Sequence, residues 1–531
     1  MSDSLVAFAQ EISLPLAMTG GAEIIEEHMK EFLLVISAAL VTATLPQLVP
    51  WLRKIPYTLA LVMAGMGLAI FNVQFFTPSP ELILWIFLPP LLFEASWNLH
   101  WSDLKRELIP ISLFVTIGVV ITITGIALSL WWWTPLTLPI ALLVGACLSA
   151  TDPVAVSALL RELGAPPRLK ALVEGESMFN DGTAVVAFSL LVGIALGSET
   201  FEPQRVISQF FLVVGIGLGV GTLLGFGISF LTQRFDLPLV EQSLTLVAAY
   251  SAYLIAEILG GSGVIGTVTV GLILGNFGSY IGMNPRTRLV VNEFWEFIAF
   301  FVNSILFLLI GAQVRLQAGS LELGWMAIAI AAMLVTRLVS VYGLSWLSNR
   351  FSSFQLDLPI QTMLYWSGLR GGVSLALVLS IPENFAERDA MVAIVFGVVL
   401  FTILVQGLTA KPLLEALRLV ENNPLRQRYL EVLARQMALE RMLNYLQNPG
   451  TGVGVDPHLA QTQATVLNQQ LTALQEEASK LQSQEPELLM VGSTQLQDAL
   501  LTIETDTYAE LVRLGRLPQE LPSILERVHE P

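Results

Sequence analysis

The sequence predicts an all-α polytopic membrane protein of about thirteen transmembrane helices followed by a helical tail. Composition says so first. The 531 residues are 54% hydrophobic and 13% charged, with a mean hydropathy of +0.67, whereas a soluble domain carries about 25% charged residues. Next, apolar runs recur from Phe32 to Ala410, separated by short breaks of Pro, Gly or charge, and each crossing needs about 20 such residues. Finally, the basic residues crowd one set of loops.

The runs centre near Ala39, Met66, Pro89, Val119, Ser149, Asp181, Gly217, Tyr250, Val270, Phe301, Leu334, Arg370 and Val399. If residue 1 starts on the non-cytoplasmic side, the inner loops hold Arg53, Lys54, Lys105, Arg106, Arg161, Arg168, Lys170, Arg234, Arg286, Arg288 and Arg350. The outer loops hold only Arg205, Arg315 and Arg388. The positive-inside rule then requires an odd number of crossings and a cytoplasmic C-terminus. Trp131 to Trp133 read as part of an interfacial aromatic belt.

The expected domains are an N-terminal segment over 1–31, a transmembrane domain over 32–411 and an acidic helical tail over 412–531. The first residues lack the basic start of a secretory leader, so none is expected. Beyond Lys411 the chain carries sixteen acidic and nine basic residues. Two stretches there, LRQRYLEVLARQMALERMLNYLQ and LAQTQATVLNQQLTALQEEASKLQSQ, read as amphipathic helices, with a loop at Asn448–Pro457. The tail suits structural support or a regulatory ligand or protein. A net charge of −16 argues against nucleic acid, and Cys147, the one cysteine, excludes an intramolecular disulfide or a thiolate zinc cluster.

Charges inside spans carry the functional signal, because each costs about 2.5–3.5 kcal/mol at the bilayer centre unless paired or hydrated. Asp152 lies in GACLSATDPVAVSALL, and Asp181 in LVEGESMFNDGTAVVAFSLLV with Glu174 and Glu176. Arg337 lies in AAMLVTRLVSVYGL and Arg370 in YWSGLRGGVSLALVL. Ser177 and Asp181 are four residues apart, as are Glu176 and Asn180, so one helix face presents several oxygens. Pro153 disfavours helix at Asp152, which predicts a break that frees the Thr151 and Asp152 backbone. Gly368, Gly371 and Gly372 predict a matching break around Arg370, seven spans later. Two such interruptions point to an inverted-repeat transporter with its site at the midplane.

Glu94 and Glu257 fall near predicted span ends, where carboxylates reach water. His28, His100, His458 and His529 lie outside span centres, which leaves at most a modulating role for His100 at a loop.

Four segments, FLPPLLFEASWNL (Phe87–Leu99), SATDPVAV (Ser149–Val156), EGESMFNDGTAVV (Glu174–Val186) and SGLRGGVSLAL (Ser367–Leu377), resemble the monovalent cation/proton antiporters of the NhaP and NHE type. The resemblance runs from about Phe32 to Ala410. It implies a homodimer in which a six-helix ion-binding bundle, crossed by two unwound helices, moves against a dimerisation domain. It also implies that Asp181 is the essential ion-binding carboxylate, with Asp152, Ser177 and the Thr151 carbonyl as further sodium ligands. Glu176 then helps to organise the site and pairs with Arg337. Asn180 beside Asp181, in place of a second aspartate, implies electroneutral exchange. No cofactor is implied, only transported sodium or lithium and protons.

Oxygen ligands suit a small hard cation, and proton and cation would compete for Asp181. Potassium/proton exchange is the alternative, because ligand types alone do not fix selectivity. An intramembrane aspartyl protease built on Asp152 and Asp181 is disfavoured, since Asp181 follows Phe179 and Asn180 rather than a GxGD-like segment. A channel is disfavoured because rings of carbonyls or charges are not apparent. Arg370 could either hold its segment together or shape the field at the site. The basic inner loops suit a bacterial plasma membrane.

Overall fold

A computed structural model describes residues 17–48, 57–70, 82–195, 203–234, 237–279, 283, 285–312, 320–351, 355–382, 385, 387–419, 424–447, 457–484 and 507. Arg53, Lys54, Arg315, the start of the chain up to residue 16 and most of the expected 448–457 loop lie outside these residues. The described residues are helical, without strands.

The chain divides into two compact units, Met1–Val420 and Glu421–Pro531. In the first unit, α1 is Ala17–Leu48, α2 Tyr57–Ile70, α3 Leu88–Trp97, α4 Trp101–Arg106, α5 Leu108–Leu113, α6 Val119–Trp133, α7 Leu138–Cys147, α8 Val154–Glu162 and α9 Pro167–Ala195. There follow α10 Pro203–Thr232, α11 Pro238–Ile258, α12 Gly263–Ile273, α13 Pro285–Ala312, α14 Ser320–Phe351, α15 Leu358–Trp366, α16 Gly372–Leu379, α17 Arg388–Phe401 and α18 Gly407–Ala416. Helix α1 begins inside the stretch read as an N-terminal segment, and α18 runs past residue 411. π-Helical turns at Phe114–Gly118 and Thr402–Gln406 join neighbouring helices into longer rods, while those at Leu82–Phe87 and Leu274–Gly278 adjoin the start of α3 and the end of α12.

Among the described residues, seven helices are long and apolar enough to cross a bilayer, and shorter apolar helices accompany them. Each of the thirteen sequence centres falls on an apolar helix, except Ser149 and Arg370, which fall in breaks between helices. Trp131, Trp132 and Trp133 are exposed at the end of α6.

The helices of this unit pack in two groups. In the first, α13 lies along α2, α10 and α11 pack on α12, and α12 packs on α3. Gly65 and Gly311 let α2 and α13 meet backbone to backbone: a Cβ at Gly65 would stand 2.8 Å from the Ala312 amide nitrogen. In hydrocarbon, where no hydrophobic effect drives helices together, such close approach gains dispersion contact. In the second group, α6 packs on α7 and α14, α9 on α7, and α14 and α16 on α17. An ion pair at its edge joins Arg168 at the start of α9 to buried Glu107 at 2.6 Å, while Arg168 also donates to the Gln355 carbonyl at 2.8 Å.

The second unit contains an antiparallel pair, α19 (Pro424–Gln447) and α20 (Pro457–Gln484). Its small core is Tyr429, Val432, Ala478 and Leu481, with Leu425, Leu433 and Leu474 against it. Arg428 bridges the two helices through Glu477 at 2.7 Å.

Candidate ion-binding site

Two helices of the second group are interrupted side by side. The first stops at Cys147 and resumes at Val154; the other stops at Trp366 and resumes at Gly372. Proline explains the first break and the glycines the second, as their positions predict. The interrupted segments hydrogen-bond to each other, with the Asp152 amide donating to the Leu369 carbonyl at 2.8 Å. Each break brings the carbonyl end of one half-helix and the amide end of the other to the middle of the unit, which offers partial charges of both signs. Asp152 serves the amide end of α8, where its Oδ1 accepts the Val154 N–H at 2.9 Å.

Helix α9 passes beside the breaks with its polar face toward them. The Ser177 hydroxyl donates to the Thr151 carbonyl, and the Thr151 hydroxyl donates to Ser177 Oγ at 3.2 Å. Asn180 Nδ2 donates to the Ser149 carbonyl at 2.9 Å and to Thr151 Oγ1 at 3.1 Å. Asp181 is 7% exposed. Its Oδ1 is buried and takes no hydrogen bond among the described residues.

Asp181, Asp152, Ser177 and Thr151 line one cavity of about 80 Å3 between the two helix groups. The opposite wall comes from α3 and α13, through Leu88, Leu91, Leu92, Leu306, Phe307 and Ile310. Two polar residues of that wall also face the cavity. They are Glu94 of the FLPPLLFEASWNL segment, expected near a span end, and Asn303, which is not among the sequence candidates. A lone amide in the middle of FFVNSILFLL was the available signal for Asn303. Glu257 does not line this cavity; it accepts the Gly263 N–H at 2.9 Å at the start of α12.

Glu176 and Asn180 share their helix with Asp181 but do not line the cavity. Both oxygens of Glu176 are taken by Arg337 of α14, through Nη1 and, at 2.8 Å, Nη2. Nη2 also donates to the Leu364 carbonyl in the last turn of α15 at 2.9 Å. One guanidinium thus ties three helices, a use of the planar fork that a lysine cannot reproduce. Arg370 is 1% exposed; its Nη1 donates to the Gly368 carbonyl at 3.0 Å, and its backbone N–H donates to Thr402 Oγ1 at 3.1 Å. It also stands within electrostatic reach of Asp181 and Glu176. The reading in which Arg370 braces the break therefore has a geometric basis.

Residues 35–416 match the model of the transmembrane sodium/hydrogen exchangers. The chain belongs to the sodium/hydrogen exchanger family. This exchanger is similar to the low-affinity Na(+)/H(+) antiporter NhaS1 of Synechocystis sp., at 52% identity over 516 residues that cover 96% of this chain and 98% of the relative. It is equally similar to the Na(+)/H(+) antiporter ApNhaP of Aphanothece halophytica, at 52% over 511 residues and the same coverages. Its fold is similar to that of the sodium proton antiporter MjNhaP1 from Methanocaldococcus jannaschii at pH 8, with a TM-score of 0.58 at 20% identity over 74% of this chain and 99% of the other. Membership makes the exchanger an integral membrane secondary transporter rather than an enzyme, which sets the aspartyl protease reading aside.

Proposed function

We propose that this exchanger trades sodium or lithium for protons, electroneutrally and by alternating access, with cation and proton competing for the Asp181 carboxylate. The observation that carries the reading is the Asp181 oxygen at the cavity, buried and without a hydrogen-bond partner among the described residues. Either ligand satisfies it, and neither can bind while the other is there. Support for sodium comes from relatives at 52% identity that are Na(+)/H(+) antiporters. Asp152, Ser177 and the Thr151 carbonyl complete an all-oxygen ligand set, the chemistry that hard cations favour.

Glu176 and Asn180 act behind these ligands. Glu176 is neutralised by Arg337, and Asn180 holds the Ser149–Thr151 turn through its amide. Ion binding therefore changes the net charge at Asp181 and Asp152 alone. Moving an empty, doubly charged site against the largely apolar wall of α3 and α13, which itself carries the acid Glu94, is costly, while a loaded site carries less net charge. That difference couples the two ions.

The acidic tail after residue 411 is a cytoplasmic, regulatory element in this reading, the N-terminal segment is non-cytoplasmic, and two copies form a homodimer in a bacterial plasma membrane. The test is proton flux in proteoliposomes containing a pH dye, after addition of sodium, lithium, potassium or choline. Sodium and lithium should drive proton movement and choline should not; a response to potassium alone would select potassium/proton exchange instead.

A further inference from the structure

One face of α13 forms part of the wall opposite Asp181. Asn303, Leu306, Phe307 and Ile310 all line the cavity, and their spacing stacks them along a single stripe of the helix. Asn303 is the polar member of that stripe. The helix is held in this rotation from its other side. Ser304 is buried, and its hydroxyl is hydrogen-bonded to that of Tyr57 on α2 at 2.8 Å. Tyr57 also stacks on Phe300 with ring centroids 5.3 Å apart, and Gly311 meets the backbone of Val62 and Met66 on α2. Successive residues of a helix point about 100° apart, so anchoring Ser304 to α2 aims Asn303 at the cavity.

An amide in the middle of an apolar span is costly unless something takes its hydrogen bonds. Glu94, the other polar group of this wall, has one oxygen held by the Asn98 amide at 2.7 Å. Asn303 has no partner among the described residues, and the cavity it lines, about 80 Å3, has room for several waters or a hydrated cation. An amide oxygen suits a hard cation as the Thr151 carbonyl does, yet unlike a carboxylate it takes up no proton at working pH. We propose that Asn303 is a specificity-determining residue: from the first helix group, its side-chain oxygen coordinates the cation at Asp181, directly or through one water, and favours cation over proton in their competition for that carboxylate. The carboxylates bind either ion, and Asn303 adds affinity for the cation alone.

This inference rests on the antiport reading, and the experiment separates the two. Sodium-driven proton flux is measured in proteoliposomes for wild type, N303A and N303D over a range of pH, with KM and maximal rate fitted separately, and thermal unfolding is followed on the same preparations. Wild-type flux reports on antiport itself, and the comparison among variants reports on Asn303. N303A should raise the sodium KM roughly fivefold, the worth of one typical hydrogen bond, by the same factor at every pH, and keep the maximal rate and the unfolding midpoint. N303D adds a carboxylate that binds protons as well, so its KM should fall below wild type at alkaline pH and climb more steeply with acid. A uniform shift in N303A and a steeper profile in N303D support the proposal, and the N303D profile decides alone if N303A does not fold. An unchanged KM in N303A, a shift confined to acid pH, a loss of maximal rate alone, or an N303D profile parallel to wild type would overturn it.

Discussion

Gly371 of the second break abuts the carboxylate of Asp152 in the first, so closely that a Cβ at 371 would stand 2.6 Å from Asp152 Cγ. The close approach couples the two interrupted helices through the very residue that lines the cavity. Gly371→Ala should therefore push Asp152 aside. The expected loss of stability is about 1–3 kcal/mol, the usual cost of overpacking, with a larger fractional loss of sodium-driven proton flux. Thermal unfolding and flux measured on the same preparation check both effects.

Arg337 and Glu176 form a buried pair that also holds the end of α15. Arg337→Ala leaves a carboxylate buried without its partner, which typically costs about 3–5 kcal/mol. The double variant R337A/E176A should recover part of that loss, since no unpaired charge remains. Arg337→Lys should fall between wild type and R337A, because one ammonium cannot serve both Glu176 oxygens and the Leu364 carbonyl. A thermal-unfolding cycle over wild type, R337A, E176A and the double variant, with R337K beside it, is the check.

Thr402 accepts the backbone N–H of Arg370 and in turn donates to the Val399 carbonyl at 2.8 Å. Thr402→Val keeps the shape but strands that buried N–H, for an expected cost of about 1–3 kcal/mol. The loosened break should also slow exchange. Unfolding midpoints and initial flux rates test this, and an unaltered protein would mean that the second break needs no anchor in the last span.

Ser177 spans the gap between α9 and the first break. Ser177→Ala removes a hydroxyl of the proposed ligand set and frees the Thr151 carbonyl it now holds. The sodium KM should rise by about tenfold, the equivalent of one lost hydrogen bond to a charged group, while the fold survives. Flux titrations with sodium measure the rise.

Much of this architecture is legible in the chain. Pro153 and the glycines around Arg370 forecast both breaks, because each residue restricts or frees the backbone locally. The four-residue spacing of Ser177 and Asp181 forecasts a shared face for the same reason. Spacing does not say what a face meets. Glu176 and Asn180 are four apart too, yet the fold turns one to Arg337 and the other to the Ser149–Thr151 turn. Asn303 and Glu94 reach the cavity only because the first helix group packs against the second, a tertiary fact that no local pattern encodes. The π-helical turns are equally hidden: one extra residue in a turn leaves no mark in an apolar run, although the turn at Thr402–Gln406 presents Thr402 to Arg370.

Competition of two ions for Asp181 is the central claim, and the sodium KM measured against pH in proteoliposomes tests it most directly, with D181N beside the wild type. On the acid side a competing proton should raise the sodium KM by about tenfold per pH unit and leave the maximal rate unchanged, and D181N should fold but exchange nothing. A maximal rate that falls with acid while KM stays constant, or exchange by D181N, would contradict it.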